Sequence, residues 1–353
     1  RLVEPATLTE QRATKMESTA VLPLIVDMDG TLLRSDMSYA NLLAMAAHSP
    51  EVLLKLPGWL LQPRNICRAN MADVALPDTH NLPLNPDCVG LIVERRAAGA
   101  RIILIAAADS RIVAAVAQQT GLFDEWHGSN RDTDLSGANK ARFLVDLFGE
   151  RGFDYIGDSQ TDLPAWQTAR RAYTLGSSPR LQQNAASANS DIVHLAPTPA
   201  SIAAWFLPLW RALRPHQWVK NVLVFAPLLA GHSFDLGHGV AALIAFVAFS
   251  LTASSAYLVN DLFDLDADRA HPRKRHRPLA AGDLSLRRGG FAAFALAAIA
   301  GVVALLTLPL AFDAVLTLYF VTTLSYSLWL KRKVFLDIFV LAGLYTIRII
   351  AGA

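Results

Sequence analysis

Leu22-Pro23-Leu24-Ile25-Val26-Asp27-Met28-Asp29-Gly30-Thr31 is the stretch that decides the reading of the amino-terminal half. Its short apolar run suits a strand buried on both faces of a parallel sheet. The run ends in two carboxylates spaced two apart and followed by glycine. At a strand end the first carboxylate can attack phosphorus and form an aspartyl-phosphate. The second can protonate the leaving oxygen and then activate water. Both also suit Mg²⁺, a hard cation that prefers oxygen ligands. Standing alone, the same residues would also make an ordinary turn with N-capping aspartates.

The surroundings favour chemistry. Arg101–Ala106 (RIILIA) reads as a second buried strand, and Lys140 follows Gly137 on a predicted helix, where an ammonium can neutralise a phosphoryl group. Asp154-Tyr155-Ile156 runs into Gly157-Asp158-Ser159-Gln160-Thr161-Asp162, a second acidic cluster at a strand end. In open α/β sheets, ligands bind beyond the carboxyl ends of the strands. Over roughly residues 20–195 these motifs resemble the haloacid dehalogenase-like (HAD) phosphatase family. The resemblance implies an α/β Rossmann-like parallel sheet with a small cap at about 34–86. It makes Asp27 the nucleophile, Asp29 the acid/base and Lys140 a phosphate contact. It assigns Asp27, Asp29, Asp158 and Asp162 to Mg²⁺. One position departs from the pattern: the family usually ends its second strand on Ser or Thr, and here Ala106 stands there, with Ser110 a substitute only if the register shifts. Loss of such a donor costs about 100–1,000-fold in other active sites.

The whole-chain arithmetic hides two unlike halves. Of 353 residues, 53% are hydrophobic and 18% charged, against roughly 25% charged in an average soluble chain. Mean hydropathy is +0.31, too apolar for disorder and too polar for a chain embedded in lipid throughout. The length suggests about two domains. A net charge of +2 argues against a nucleic-acid partner. Cys67 and Cys88 are too few for a disulfide framework and too far apart for a zinc motif, which fits a reducing compartment. Residues 1–19 form a polar tail with no apolar core of a signal peptide.

Beyond a Ser-, Ala-, Asn- and Pro-rich seam at 177–200, apolar stretches dominate. Residues 196–212 read as a linker or interfacial helix. Spans are expected at about 218–234, 240–259, 289–311, 313–330 and 335–353, several near the roughly 20 apolar residues that cross a bilayer. Arg269, Arg273, Lys274, Arg275, Arg277, Arg287 and Arg288 follow the second span, and Lys331, Arg332 and Lys333 follow the fourth. Basic loops favour the cytoplasmic side. The chain is therefore expected to be a multi-pass protein of the cell (inner or plasma) membrane, with the amino-terminal domain cytoplasmic.

The second span closes on Asn260-Asp261-Leu262-Phe263-Asp264-Leu265-Asp266-Ala267-Asp268. Charges at bilayer depth are costly unless they face a cavity or a partner. Asp261, Asp264 and Asp268 are spaced i, i+3, i+7 and share one helix face. Mg²⁺ held by such carboxylates together with substrate phosphates neutralises the face; a solvated acidic loop paired with the following arginines would do so as well. The next residues, Arg269 to Leu279, are a basic run, from which Lys274 and Arg277 are the candidate ligand contacts.

The pattern N-D-x-x-D-x-x-x-D followed by H-P-x-K-x-x-R-P-L resembles the UbiA superfamily of intramembrane prenyltransferases. Leu213-Arg214-Pro215-His216-Gln217-Trp218-Val219-Lys220-Asn221, Tyr326-Ser327, Leu330-Lys331-Arg332 and Asp337 are similar to one subgroup, the polyprenyl-phosphate phosphoribosyltransferases of cell-wall arabinan precursor synthesis. The resemblance implies an all-α bundle over 213–353, truncated to about five of some nine spans, so that the chain is expected to be a fragment. It implies a Mg²⁺ site of Asn260, Asp261, Asp264 and Asp268, and substrate contacts from Lys220, Asn221, Lys274, Arg277, Lys331 and Arg332. The implied partners are the lipid bilayer, a polyprenyl phosphate or prenyl diphosphate, and a small donor bearing a diphosphate. Two alternatives stay open: prenyl transfer to an aromatic acceptor beside a non-catalytic HAD domain, and a non-enzymatic membrane anchor.

Overall fold

The computed structural model describes residues 21–176, 178–195, 202–232, 235–328 and 336–353. Two compact units emerge.

In the first unit, six strands form one parallel sheet: β1 (Leu24–Asp27), β2 (Ile102–Asp109), β3 (Glu125–Ser129), β4 (Asp154–Gly157), β5 (Ala172–Leu175) and β6 (Ile192–Leu195). The spatial order is β3-β2-β1-β4-β5-β6. This is the α/β parallel-sheet architecture that the motifs imply. Because the chain winds outward from β1 in one direction and restarts at β4 in the other, the order reverses between these two strands. Crevices open beyond the carboxyl ends of strands at such a reversal. Asp27 ends β1 and Asp158 follows β4, so both stand at that crevice.

β1, β4 and β5 are buried along their full length, as parallel strands covered on both faces must be. Ile25, Ile103, Ile105, Leu144, Phe153, Tyr155 and Trp166 fill the core. Helices between strands complete the layers: α2 (Arg64–Val74), α3 (Pro86–Ala97), α4 (Ser110–Thr120), α5 (Gly137–Phe148), α6 (Leu163–Thr168) and α7 (Pro179–Ala188). The residues expected to form one small cap divide between the units. α2 belongs to the first, whereas α1 (Met37–His48) lies within Arg34–Pro50, which groups with the second unit along with His80–Pro83.

Two glycines are dictated by the crevice. Gly30 has φ +81°, and a Cβ there would collide with the Asp158 carboxylate. Gly157 brings its backbone so close to Asp162 that a Cβ would lie 2.7 Å from the carboxylate carbon. Gly30→Ala therefore combines a left-handed backbone with a clash, and should destabilise the first unit by about 1–3 kcal/mol, read as a lowered midpoint in thermal unfolding.

The second unit is helical: α8 (Ile202–Leu213), α9 (Leu236–Phe263), α10 (Leu265–Ala270), α11 (Leu286–Thr307), α12 (Leu310–Leu328) and α13 (Leu336–Ala351). Among the described residues, α9 and α11 are long and apolar enough to cross a membrane, and Leu310–Tyr326 and Ile338–Ala351 are shorter apolar helices. The expected span at 218–234 is not one helix. Pro215–Phe225 winds as a 3₁₀ helix and only Ala226–Ala230 is α-helical. Pro227 lacks an amide donor and starts that short helix instead of extending a long one. Within this unit Arg34 pairs with Asp283 at 2.7 Å, and buried Arg269 donates to Ser35 Oγ at 2.9 Å. The core comprises Val224, Phe249, Phe312, Leu316, Tyr319 and Leu344 together with small alanines.

Candidate functional sites

In the crevice of the first unit, Asp27 and Lys140 are almost entirely buried. Lys140 arrives from the first turns of α5, and its Nζ donates to Asp27 Oδ1 at 2.5 Å, Tyr155 Oη at 3.0 Å and Asp162 Oδ1 at 3.2 Å. Tyr155 Oη donates to Asp162 Oδ1 at 2.7 Å. The other Asp162 oxygen accepts from the amides of Asp158 and Ser159 and from Ser159 Oγ, at 3.0–3.3 Å. Asp162 thus orients the lysine and ties down the loop that carries Asp158. Thr31 Oγ1 lies 3.4 Å from Asp158 Oδ1.

Oxygens of Asp27, Asp158 and Asp162 lie within 4.8 Å of one another, the one such trio among the described residues. Burial pushes the Asp27 carboxyl up to about 7 against the pull of Lys140, and Asp162 adds repulsion. Asp158 is raised well above the carboxylate range, first by burial and then by Asp27, Asp162 and Asp29. Burial opposes the charge of Lys140, but Asp27 and Asp162 overcome it and hold the ammonium. Crowded, hard-oxygen carboxylates with too little positive charge suit a divalent cation. Mg²⁺ should therefore raise the unfolding temperature at pH 7.5, and Asp158→Asn should remove most of that rise.

Asp27 also sets a pH dependence. Its folded pKa lies above the ordinary carboxylate value, so folding favours the protonated form. That contribution is complete below the usual carboxylate range and is lost as pH rises through about 7. With chelator present, the unfolding temperature of wild type relative to Asp27→Asn should fall between pH 5 and pH 8. A constant difference would contradict the burial argument.

The Ala106 departure persists in three dimensions. Asp27 pairs in register with Ile105, so Ala106 follows beside the carboxylate. The register between β2 and β3 does shift after Ala106. Ser110, however, opens α4 with its backbone against Gly128 of β3, on the flank of β2 away from β1. Helix α2 is fixed over this strand end: Arg68 donates to the Ala107 carbonyl at 3.0 Å and Arg111 donates to the Ala69 carbonyl at 3.2 Å.

In the second unit, α9 ends at Phe263, Asp264 joins it to α10, and backbone hydrogen bonds continue from Asn260 through Asp264 to Asp268. This brings Asp261 and Asp268 onto one side, where Arg277 Nη1 bridges them at 3.1 and 2.6 Å. Arg214 Nη2 adds bonds of 2.6 and 2.8 Å to Asp261 and stacks its guanidinium over Tyr257 at 5.1 Å. Arginines supply the neutralising charge that the spacing called for. Asp268 Oδ1 is nevertheless buried with no hydrogen-bond partner, an oxygen that suits a cation. Burial raises the Asp268 carboxyl and Arg277 opposes the shift. Lys274 begins an exposed 3₁₀ turn whose amide faces His271 Nδ1. Lys331 and Arg332 lie outside the described residues.

Asn221 is not positioned as a surface contact. It is buried, donates to Ser250 Oγ at 3.1 Å and accepts from Arg348 Nε at 2.8 Å. Lys220 and Asn260 line a cavity of about 210 Å³ shared with Arg214, Tyr257, Tyr319 and Arg348. The site roles of Arg214, Tyr319, Tyr155 and Ser159 escape sequence reading. Arg348 alone carries a local signal, a charge inside an apolar helix.

Residues 221–353 match the UbiA prenyltransferase family. The UbiA region thus contains α9 to α13 and the Asp261–Arg277 cluster. Among curated relatives, protein y4nM of Sinorhizobium fredii is 37% identical over 334 residues, covering 94% of this chain and 63% of that protein. A decaprenyl-phosphate phosphoribosyltransferase of Mycobacterium tuberculosis is 42% identical over 164 residues, 44% of this chain and 51% of the relative. The chain thus spans roughly half to two thirds of the length of these relatives. The similar solved structures include a HAD family hydrolase of Salmonella enterica serovar Typhi, at 13% identity and TM-score 0.34, over 54% of this chain and 77% of that one.

Proposed function

We propose that the UbiA region belongs to a multi-pass transferase of the cell membrane that moves a group from a diphosphate donor to a polyprenyl lipid, with phosphoribosyl the favoured group. The observation that carries this reading is the buried pair Asp261 and Asp268, bridged by Arg277 beside an unpartnered carboxylate oxygen. The 42% identity to a decaprenyl-phosphate phosphoribosyltransferase supports the choice of group. Asp261, Asp264, Asp268 and Asn260 would hold Mg²⁺, which when bound stabilises the charge of a departing diphosphate. Arg277 and Lys274 contribute fixed positive charge at the same end of α9. In the transfer, an oxygen of the lipid phosphate bonds to the anomeric carbon of the ribose. The bond from that carbon to the diphosphate breaks, and the diphosphate leaves with the electron pair.

The first unit is, on this reading, a cytoplasmic HAD-type phosphomonoesterase. Asp27 attacks phosphorus, Asp29 protonates the departing alcohol and then takes a proton from water, and that water releases phosphate from Asp27. Lys140 steadies Asp27 and the phosphoryl charge, and Asp27, Asp158 and Asp162 would hold Mg²⁺, with Asp162 also securing the lysine and the loop. A phosphoribosylated lipid carries a 5-phosphate, a fitting substrate. Ala106 favours a second reading, in which this unit binds phosphate weakly and is not catalytic.

The deciding experiment incubates membranes containing the protein with radiolabelled phosphoribosyl diphosphate and polyprenyl phosphate, and in parallel with a prenyl diphosphate and aromatic acids. Label in the lipid fraction from the first mixture is the expected result. Label only from the second would replace phosphoribosyl by prenyl transfer, and label from neither would sink the transferase reading. Asp264→Ala should lower metal-dependent diphosphate binding at least about tenfold, the order expected for loss of a metal-site group.

A further inference from the structure

One face of α11 is packed and another is not. Gly289, Ala293, Ala300 and Ala304 are buried, and Ser255 Oγ of α9 donates to the Ala293 carbonyl at 2.7 Å. Arg288, Ala292 and Ala295 are spaced i, i+4, i+7 and share a different face. The small alanines leave room there. Leu209 and Leu213 of α8, with Phe291 and Leu296 of α11, wall a cavity of about 560 Å³, and Arg287 and Arg288 line it too. That size falls within the roughly 300–1,000 Å³ of cavities that hold small ligands.

Helix length fixes the depth of this cavity. The 22 residues of α11 rise about 33 Å, close to the roughly 30 Å of a bilayer's hydrocarbon core. Its first turn, which carries Arg287 and Arg288, therefore sits at a membrane–water boundary. Trp210 of α8 is exposed and packs edge-on against Trp218 at 6.1 Å, and tryptophans gather at the same boundary. Leu296 lies about 13 Å along the axis from Arg287, so the cavity runs through about one leaflet. Asp283, the acid closest in sequence, is paired with Arg34, and no carboxylate stands among the described lining residues. Positive charge at headgroup depth above an apolar trough is complementary to an anionic lipid.

We propose that this cavity binds one anionic glycerophospholipid of the bilayer. Its phosphodiester meets Arg287 and Arg288, and one acyl chain runs along Ala292 and Ala295 between α8 and α11. The cavity shares no described lining residue with the one that holds Arg348, and none with the Asp261, Asp268 and Arg277 cluster. The lipid is therefore a resident of the fold and not a reactant, and the proposal does not rest on the transferase reading.

The test titrates the purified full chain in neutral detergent with phosphatidylglycerol labelled on an acyl chain, followed by fluorescence anisotropy. Unlabelled phosphatidylglycerol, phosphatidylcholine, glycerol phosphate and farnesyl phosphate then compete for the site. Each arginine near an anionic headgroup strengthens binding about fivefold. Phosphatidylglycerol should therefore displace the label at a concentration at least about tenfold below phosphatidylcholine, and glycerol phosphate, which has no chain, should not displace it. The double variant Arg287→Gln with Arg288→Gln should bring phosphatidylglycerol down to the level of phosphatidylcholine; both side chains are exposed, so the fold should survive. Ala295→Trp fills the trough and should weaken both lipids alike. Equal competition by the two phospholipids in wild type, or a preference that persists in the double arginine variant, would overturn the proposal. Unweakened binding in Ala295→Trp would move the lipid elsewhere on the surface and overturn it too. Displacement by farnesyl phosphate as effective as by phosphatidylglycerol would overturn it in favour of an isoprenoid groove, and displacement by glycerol phosphate in favour of a free-phosphate site.

Discussion

Asp27→Asn should lower phosphate release from a phosphomonoester by on the order of 1,000-fold or more, because it removes the nucleophile on which both half-reactions depend. Lipid labelling by the UbiA region should persist in the same variant. The substitution is nearly isosteric and removes a carboxylate whose pKa burial has raised to about 7, so folding should survive it. An unchanged rate of phosphate release would assign that activity elsewhere. Measurable release by wild type at all is informative, because Ala106 offers no hydroxyl beside Asp27. If wild type is inactive, Ala106→Ser should gain activity when the rest of the crevice is competent. Failure of that gain would favour a purely structural unit.

Lys140→Met should be the most destabilising of the crevice substitutions. It removes the one cation that, among the described residues, contacts both Asp27 and Asp162, at 2.5 and 3.2 Å. Breaking a buried ion pair by deleting one partner costs about 3–5 kcal/mol. For a unit of this size, that corresponds to roughly 6–20 °C in unfolding temperature. The loss should be larger at pH 8 than at pH 5, since Asp27 can protonate at the lower pH and shed its unpaired charge. It should shrink when Mg²⁺ is added. A shift below about 1 °C at pH 8 would mean that the carboxylates find compensation elsewhere. Scanning calorimetry of the wild-type and Met proteins decides between these outcomes.

Much of the first unit is written locally. Leu24 to Val26 suits a buried strand, Gly30 permits the turn that follows, and the spacing of Asp27, Asp29, Asp158 and Asp162 marks two strand ends. What local reading misses is the support. Tyr155 sits within a strand that looks purely structural, yet its hydroxyl donates to Asp162 and receives a bond from Lys140. Ser159 reads as a turn residue and in fact closes a capping box on Asp162. Ser159 and Tyr155 lie only three and seven residues from Asp162, but their roles matter because Asp162 also meets Lys140, whose other partner, Asp27, is 113 residues away in the chain.

In the UbiA region, the sequence by itself determined the acidic face, the basic run behind it and the apolar helices. Asp261 and Asp268 fall seven residues apart, nearly two helical turns, so helix geometry alone puts them on one side. Only tertiary packing decided which cations answer them. Arg214 reaches Asp261 because the 3₁₀ segment that it precedes, Pro215–Phe225, packs beside α9, and Arg277 reaches it from the far side of the turn at Lys274–His276. Packing likewise turned Asn221 inward to Arg348, and converted one expected span into two short helical turns around Pro227. The division follows from range. Periodicity and spacing act within a few helical turns and are visible in one dimension, whereas neutralising a buried charge requires the nearest opposite charge in space, and folding chooses that partner.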